Sequence, residues 1–215
     1  AALDTDHGAC ACSRVSSPAL GVVARKEGID FAETLTGFKW ISRVGGLLYG
    51  YEEALGYLVD PDKVRDKDGI SAALEVLALF SELRAAGQGF AEHEAAFADR
   101  YGAFASGQIS IRVADLARIP ELMTRLREQP PREMGGVRVE RIDDFVDGFG
   151  PFPPSDILRI WLEGGSRVIV RPSGTEPKLK CYLDTRCDEG GPAERQAAAD
   201  AALEALDAGM RELLG

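Results

Sequence analysis

Residues 157–185 read ILRIWLEGGSRVIVRPSGTEPKLKCYLDT, and three strands with two turns are visible in them. Leu158, Ile160 and Leu162 alternate with Arg159, Trp161 and Glu163. A period of two places one row on a core and the other on an amphipathic face. Gly164-Gly165 supplies the positive φ angles of a tight hairpin turn. Residues 166–171 therefore return antiparallel to residues 157–163. A third strand is expected over Lys178 to Thr185, with Leu179, Cys181 and Leu183 turned inward.

The turn between the second and third strands carries the most chemistry. It runs Arg171-Pro172-Ser173-Gly174-Thr175-Glu176-Pro177-Lys178-Leu179-Lys180. Gly174 lets the backbone approach a ligand closely, so that successive N–H groups can point into one concavity. Ser173 and Thr175 add hydroxyl donors, and Arg171 offers a planar fork that matches phosphate oxygens. Pro172 and Pro177 stiffen the loop and reduce the ordering cost of binding. Arg171, Lys178 and Lys180 against Glu176 make three cations and one anion, a local +2 in a chain whose net charge is −10. A phosphate monoester suits such a loop. An ordinary inter-strand turn would use the same small polar residues, and their types alone do not separate the two readings.

Around this segment the chain falls into two blocks, residues 1–104 and 105–215. In the second, Gln108 to Val113 reads as a strand, Asp115 to Arg127 as a helix with Leu116, Ile119, Leu122, Met123 and Leu126 inward, and Val137 to Ile142 as a strand. Pro192 to Leu214 closes the chain as a helix packed through Leu203, Leu206, Met210 and Leu213. The block is an α+β layer, a sheet with antiparallel pairs and helices on one face. In the first block, strands are expected near Cys12 to Ser16, Ile29 to Leu35 and Leu47 to Tyr51, and a helix from Pro18. Asp68-Gly69 opens a longer helix with two apolar stripes, Ile70, Leu74, Leu77 and Ala73, Val76, Phe80, Leu83, which predicts burial on more than one side. A further helix spans about Phe90 to Tyr101. This block reads as mixed α/β.

Composition narrows the function. With 35 acidic and 25 basic side chains, the chain lacks the basic face that a general nucleic-acid binder needs. The apolar run Ala72 to Phe80 is far short of a membrane span. Cys10, Cys12, Cys181 and Cys187 match neither a zinc spacing nor a disulfide scaffold, so a reducing cytoplasm is the expected compartment. Residues 1–12 lack the basic and apolar regions of a signal peptide.

Three more segments are candidates. In Gly50-Tyr51-Glu52-Glu53-Ala54-Leu55-Gly56-Tyr57, a carboxylate on a glycine-flanked loop can accept two hydrogen bonds from vicinal hydroxyls, although a Glu-Glu pair is also a common solvated feature. In Val64-Arg65-Asp66-Lys67-Asp68-Gly69, Asp68 suits an N-cap, and Lys67 between two acids should keep its charge, which favours electrostatic stabilisation over base chemistry. In Thr34-Leu35-Thr36-Gly37-Phe38-Lys39-Trp40-Ile41, the residues Phe38, Trp40 and Ile41 read as core or wall. Lys39 could meet phosphate or solvent.

The segment Arg171 to Lys178 resembles the C-terminal phosphate loop of the α-D-phosphohexomutases, the family of phosphoglucomutases, phosphomannomutases and phosphoglucosamine mutases. The resemblance covers roughly residues 12–215 and corresponds to the later portion of the family's third domain plus its fourth. It implies that Arg171, Ser173, Gly174, Thr175 and Lys180 hold the phosphate that is not being transferred, and that Glu52 contacts the sugar. By the same resemblance Thr36 and Gly37 belong to the loop that distinguishes sugar orientations, and Lys67 reaches the reacting centre. Ala54 departs from the serine frequent in the family, which removes one hydroxyl contact and leaves glucose, mannose, pentose and amino-sugar phosphates open. The implied activity is phosphoryl transfer between C1 and C6 of a hexose phosphate through a bisphosphate. It needs a phosphoserine and an Asp-x-Asp-x-Asp-Arg loop holding magnesium, and neither motif occurs in this sequence. Asp4-Thr5-Asp6-His7 lacks the third acid and the arginine. No metal ligand is therefore expected in this chain; magnesium belongs to the full-length enzyme, and an N-terminal mutase half is an expected partner. A noncatalytic phosphosugar-binding module is the alternative.

Overall fold

The computed structural model describes residues 8–214, so Asp4-Thr5-Asp6-His7 lies outside the described residues. The chain divides between Tyr101 and Gly102 into two compact units.

The first unit is built on β1 (Ala9–Ser13), α1 (Ala19–Glu27), β2 (Asp30–Thr34), α2 (Phe38–Ile41), β3 (Leu47–Glu52), β4 (Gly56–Leu58), α3 (Gly69–Ala85) and α4 (Phe90–Tyr101). Its sheet runs in the order β2-β1-β3-β4. β1 is parallel to both β2 and β3, whereas β4 pairs antiparallel with β3. Parallel neighbours cannot be joined by a tight turn, and α1 supplies the crossover from β1 to β2. β1 is Ala-Cys-Ala-Cys-Ser and buried throughout. A strand covered on both faces shows no alternation, which explains why the sequence pattern placed it three residues too late. Residues 14–17 instead turn back, with the Ser16 N–H bonded to the Ser13 carbonyl at 3.0 Å.

The long helix corrects one expectation. α3 starts where predicted, with the Asp68 carboxylate accepting from the N–H groups of Ile70 (3.0 Å) and Ser71 (3.2 Å). Its two apolar stripes are not covered: Ile70, Leu74, Val76, Leu77 and Phe80 are all exposed, and Leu83 alone in the helix is buried. Helical spacing reports that a face is apolar, not that something packs on it. Within the unit α3 meets β4 and α4, the latter through Phe80 and Phe90 with rings 5.5 Å apart. Trp40 is likewise exposed, while its neighbours Phe38 and Ile41 join the core with Ala11, Leu47 and Leu58.

The second unit comprises β5 (Ala103–Arg112), α5 (Arg118–Glu128), β6 (Glu133–Met134), β7 (Val137–Asp144), β8 (Leu158–Leu162), β9 (Arg167–Pro172), β10 (Lys178–Cys187) and α6 (Pro192–Leu214). The six strands form one sheet, β5-β10-β9-β8-β7-β6, antiparallel at every step. Gly164 and Gly165 make the β8–β9 turn at φ +78° and +84°, angles at which a Cβ would be strained. Leu158, Ile160, Leu162, Val168, Val170, Leu179, Cys181 and Leu183 face α5 and α6, which contribute Ile119, Leu122, Met123, Leu126, Leu206, Met210 and Leu214 to the same core. Each such side chain stabilises the unit by roughly 1.5–3 kcal/mol through its removal from water. Leu116 is not among them. It shares the helical spacing of Ile119 and Met123 but precedes the first turn of α5, and it is exposed.

None of the four cysteines, all among the described residues, forms a disulfide. Burial pushes the Cys181 thiol up to about 12. No helix among the described residues is long and apolar enough to cross a membrane.

Candidate functional site

The β9–β10 turn is positioned by the antiparallel register of its strands. That register sets Lys180 directly opposite Arg171 on one side and Ser110 of β5 on the other. Cross-strand partners share a face, here the one turned away from α5 and α6. Like charges placed directly opposite each other cost a sheet stability unless a counter-charge lies nearby. One step along, Arg112 and Lys178 face each other. Glu176 bridges that pair, with its Oε1 2.8 Å from Lys178 and 3.3 Å from Arg112. The hydrogen bond from Lys178, with help from Arg112 and Lys180, holds the Glu176 carboxyl below its ordinary pKa.

The loop is closed by its own backbone. The Ser173 N–H donates to the Lys178 carbonyl at 2.8 Å, and the Lys178 N–H to the Glu176 carbonyl at 2.7 Å. Ser173 therefore has its hydroxyl, and not its amide, to offer a ligand. The N–H groups of Gly174 and Thr175 meet no acceptor among the described residues. Both residues are exposed, and a Cβ on Gly174 would project into open space. Residues 172–177 line a cleft of about 510 Å³ together with Leu116, Ile119, Pro120 and Asp156.

In the first unit the β3–β4 turn carries Glu52 to Gly56, with Glu52 and Gly56 opposite each other in the ladder. Gly56 is required there, because a Cβ would lie 2.5 Å from Glu52 Cγ. The two glutamates separate in role. Glu53 turns to Ser13 and Ser16, whose hydroxyls lie 3.1 and 2.9 Å from its Oε2. Glu52 stays near Lys67: burial pushes its carboxyl above the ordinary value, Lys67 opposes that rise, and Glu53 and Asp66 reinforce it. The Lys67 ammonium lies 5.3 Å from the centre of the Phe38 ring and 3.8 Å from Asp66. Phe38 opens α2 directly after Thr36-Gly37. Glu52, Lys67 and the Gly37–Phe38 corner are thus gathered by three separate loops. Ala54 sits exposed at the tip of its turn. Lys39 and Arg43 flank the exposed Trp40 ring at 5.5 and 5.7 Å.

This geometry coincides with a known pair of domains. The family model for the phosphoglucomutase/phosphomannomutase alpha/beta/alpha domain III matches residues 3–100, and that for the C-terminal domain of the same family matches residues 109–204. The chain belongs to the phosphoglucomutase/phosphomannomutase family. A protein from Haemophilus influenzae named "Probable phosphomannomutase" is 52% identical over 208 residues, 97% of this chain and 41% of its own length. A phosphoglucomutase from Staphylococcus aureus is 29% identical over 82% of this chain and 36% of itself. The chain thus spans about two fifths of the length of these curated relatives. Among solved structures, pp63/parafusin from Paramecium, a phosphoglucomutase in its open form, superposes with a TM-score of 0.64 at 27% identity, covering 93% of this chain and 37% of that one. A putative phosphomannomutase from Thermus thermophilus shares the fold at a TM-score of 0.62, with 18% identity over 97% of this chain and 36% of that one.

Family membership raises the question of magnesium, and Asp4-Thr5-Asp6-His7, the segment with a superficial likeness to the metal loop, lies outside the described residues. No group of three or more His, Cys, Asp or Glu side chains that could hold a metal occurs among the described residues. Sequence reasoning missed Arg112, whose place beside the phosphate loop depends on strand pairing. It also missed Ser13 and Ser16, whose partner Glu53 is about forty residues away. The odd spacing Ser13-Arg14-Val15-Ser16 carried no periodic signal that would have exposed them.

Proposed function

We propose that the chain is the sugar- and phosphate-recognising portion of a phosphohexose mutase, acting in the transfer of a phosphoryl group between C1 and C6 of glucose or mannose phosphates through a bisphosphate. Arg171, Ser173, Gly174, Thr175 and Lys180 hold the phosphate that stays in place. The guanidinium and ammonium neutralise the charge, while the hydroxyls and the Gly174 and Thr175 N–H groups fix the oxygens. Glu52 accepts hydrogen bonds from sugar hydroxyls, and Ala54 leaves that turn without the hydroxyl that a serine would add. Thr36 and Gly37 belong to the loop that tells one sugar orientation from the other. Lys67, exposed in the first unit, stabilises negative charge at the reacting phosphoryl group.

The observation that carries this reading is the Arg171–Lys180 cross-strand pair beneath an open Ser173-Gly174-Thr175 turn. The phosphoserine and the metal loop belong to an N-terminal mutase half, so the chain by itself binds and does not turn over. Calorimetric titration with inorganic phosphate and with glucose 1-phosphate tests the proposal. A charge-assisted hydrogen bond contributes about 1.5–3 kcal/mol, so Arg171→Ala should weaken both ligands by roughly 10- to 150-fold. Unchanged affinity in Arg171→Ala would remove the phosphate loop from the account. Co-expression with an N-terminal half should restore conversion of glucose 1-phosphate; failure to do so while binding persists would favour a noncatalytic phosphosugar-binding module.

A further inference from the structure

Glu53 is not a spare copy of Glu52. Its carboxylate is turned onto Ser13 and Ser16, two residues that are 0% and 1% exposed. Ser16 grips it from both ends: the Ser16 hydroxyl lies 2.9 Å from Glu53 Oε2, and the same oxygen accepts the Glu53 backbone N–H at 3.1 Å. The proton inventory is consistent. Two hydroxyl protons serve three oxygen–oxygen contacts, with Ser16 donating to Glu53 and Ser13 donating either to Glu53 at 3.1 Å or to Ser16 at 2.8 Å. An ionised acceptor makes these bonds stronger than neutral ones, and its loss would leave buried hydroxyls without their partner.

The turn that follows is one the chain would not adopt unaided. Leu55 has φ +58°, the only non-glycine positive φ among the described residues, and its side chain is 81% exposed. A left-handed leucine persists only where the surroundings over-determine it, and an exposed side chain brings no packing to do so. Two features hold the turn: the β3–β4 ladder at Glu52 and Gly56, and the serine grip on Glu53.

We propose that Glu53, clamped by Ser13 and Ser16, is a positioning residue that fixes the 53–55 turn and thereby aims the Glu52 carboxylate at sugar hydroxyls. This rests on the reading of Glu52 as the sugar contact. The clamp lies in the first unit and the phosphate loop in the second, so the two are separable by experiment. Hydrogen exchange and calorimetry on the full chain provide two readouts. Amide exchange at Glu53 should be at least about tenfold faster in Glu53→Ala and Ser16→Ala than in the parent chain, and near the parent rate in Glu53→Gln, whose amide oxygen still accepts from serine. Affinity for glucose 1-phosphate should fall about tenfold in Glu53→Ala and recover in Glu53→Gln, while affinity for inorganic phosphate stays level in all variants. Unaltered exchange in both Glu53→Ala and Ser16→Ala overturns the clamp, whatever the ligands do. Faster exchange with unchanged glucose 1-phosphate affinity overturns the positioning role. A parent chain that binds glucose 1-phosphate no better than inorganic phosphate overturns the sugar-contact reading of Glu52 and the positioning role with it, but leaves the exchange result to judge the clamp.

Discussion

Replacing Asp184 by Asn should cost the second unit about 3–5 kcal/mol, the range for stranding one member of a buried ion pair. Asp184 and Arg167 stand opposite each other on β10 and β9, the strands that carry the phosphate loop. Their side chains are 4% and 2% exposed, and Arg167 Nε lies 2.9 Å from Asp184 Oδ2. Ser106 Oγ donates to the other carboxylate oxygen at 2.7 Å, and the Arg167 guanidinium sits 5.9 Å from the centre of the Trp161 ring. Asparagine keeps the shape but removes the Asp184 counter-charge, so the guanidinium stays buried without it. The loss is large against a whole-domain stability of about 5–15 kcal/mol. The double replacement Arg167→Met/Asp184→Leu removes both charges together and should lie within about 1 kcal/mol of the parent or above it, because the desolvation cost of the pair disappears too. Trp161 reports on the pair directly; a Trp40→Phe background makes it the only tryptophan. Urea unfolding followed by its fluorescence gives the free energies. An Asp184→Asn cost below about 1 kcal/mol, or a double variant as unstable as the two single losses added, would refute the account of a tightly coupled buried pair.

Other perturbations follow from the same geometry. Burial works to raise the Asp143 carboxyl, but hydrogen bonds from Trp161 (2.9 Å), Arg141 (2.8 Å) and Arg159 (3.0 Å) outweigh it and leave the folded value below the ordinary 3.8. The unfolded chain then binds more protons in acid, so this stabilisation is present above about pH 4 and is lost as pH falls through the depressed value. Acid unfolding should consequently be shallower in Asp143→Asn than in the parent, as circular dichroism between pH 5 and pH 2 would record. Asp68→Ala should uncap α3 and lower the midpoint of thermal unfolding. Leu74→Lys on the exposed face of α3 should change stability by no more than about 0.5 kcal/mol, whereas Ile109→Ala in the second core should cost about 2–5 kcal/mol by denaturant titration. Gly56→Ala should weaken glucose 1-phosphate binding while sparing inorganic phosphate, since its Cβ displaces Glu52.

Much of this protein could be read from residue order because the forces concerned are local. The Leu158–Leu162 alternation, the Gly164-Gly165 turn and the Leu206–Met210 stripe of α6 each express a period set by backbone geometry, and the structure places all three accordingly. Local chemistry also marked the Arg171–Lys180 loop, whose +2 charge, glycine and hydroxyls are adjacent in the chain. Tertiary structure decided the rest, for one physical reason: a side chain's partner is whatever folding brings beside it, and a linear pattern does not encode that. Strand register set Lys180 against Arg171 and brought in Arg112. Packing separated Glu52 from Glu53, identical in type and adjacent in sequence, by giving the second to two serines about forty residues away. The apolar stripes of α3, plain in the sequence, remained exposed because periodicity describes the helix and not its surroundings.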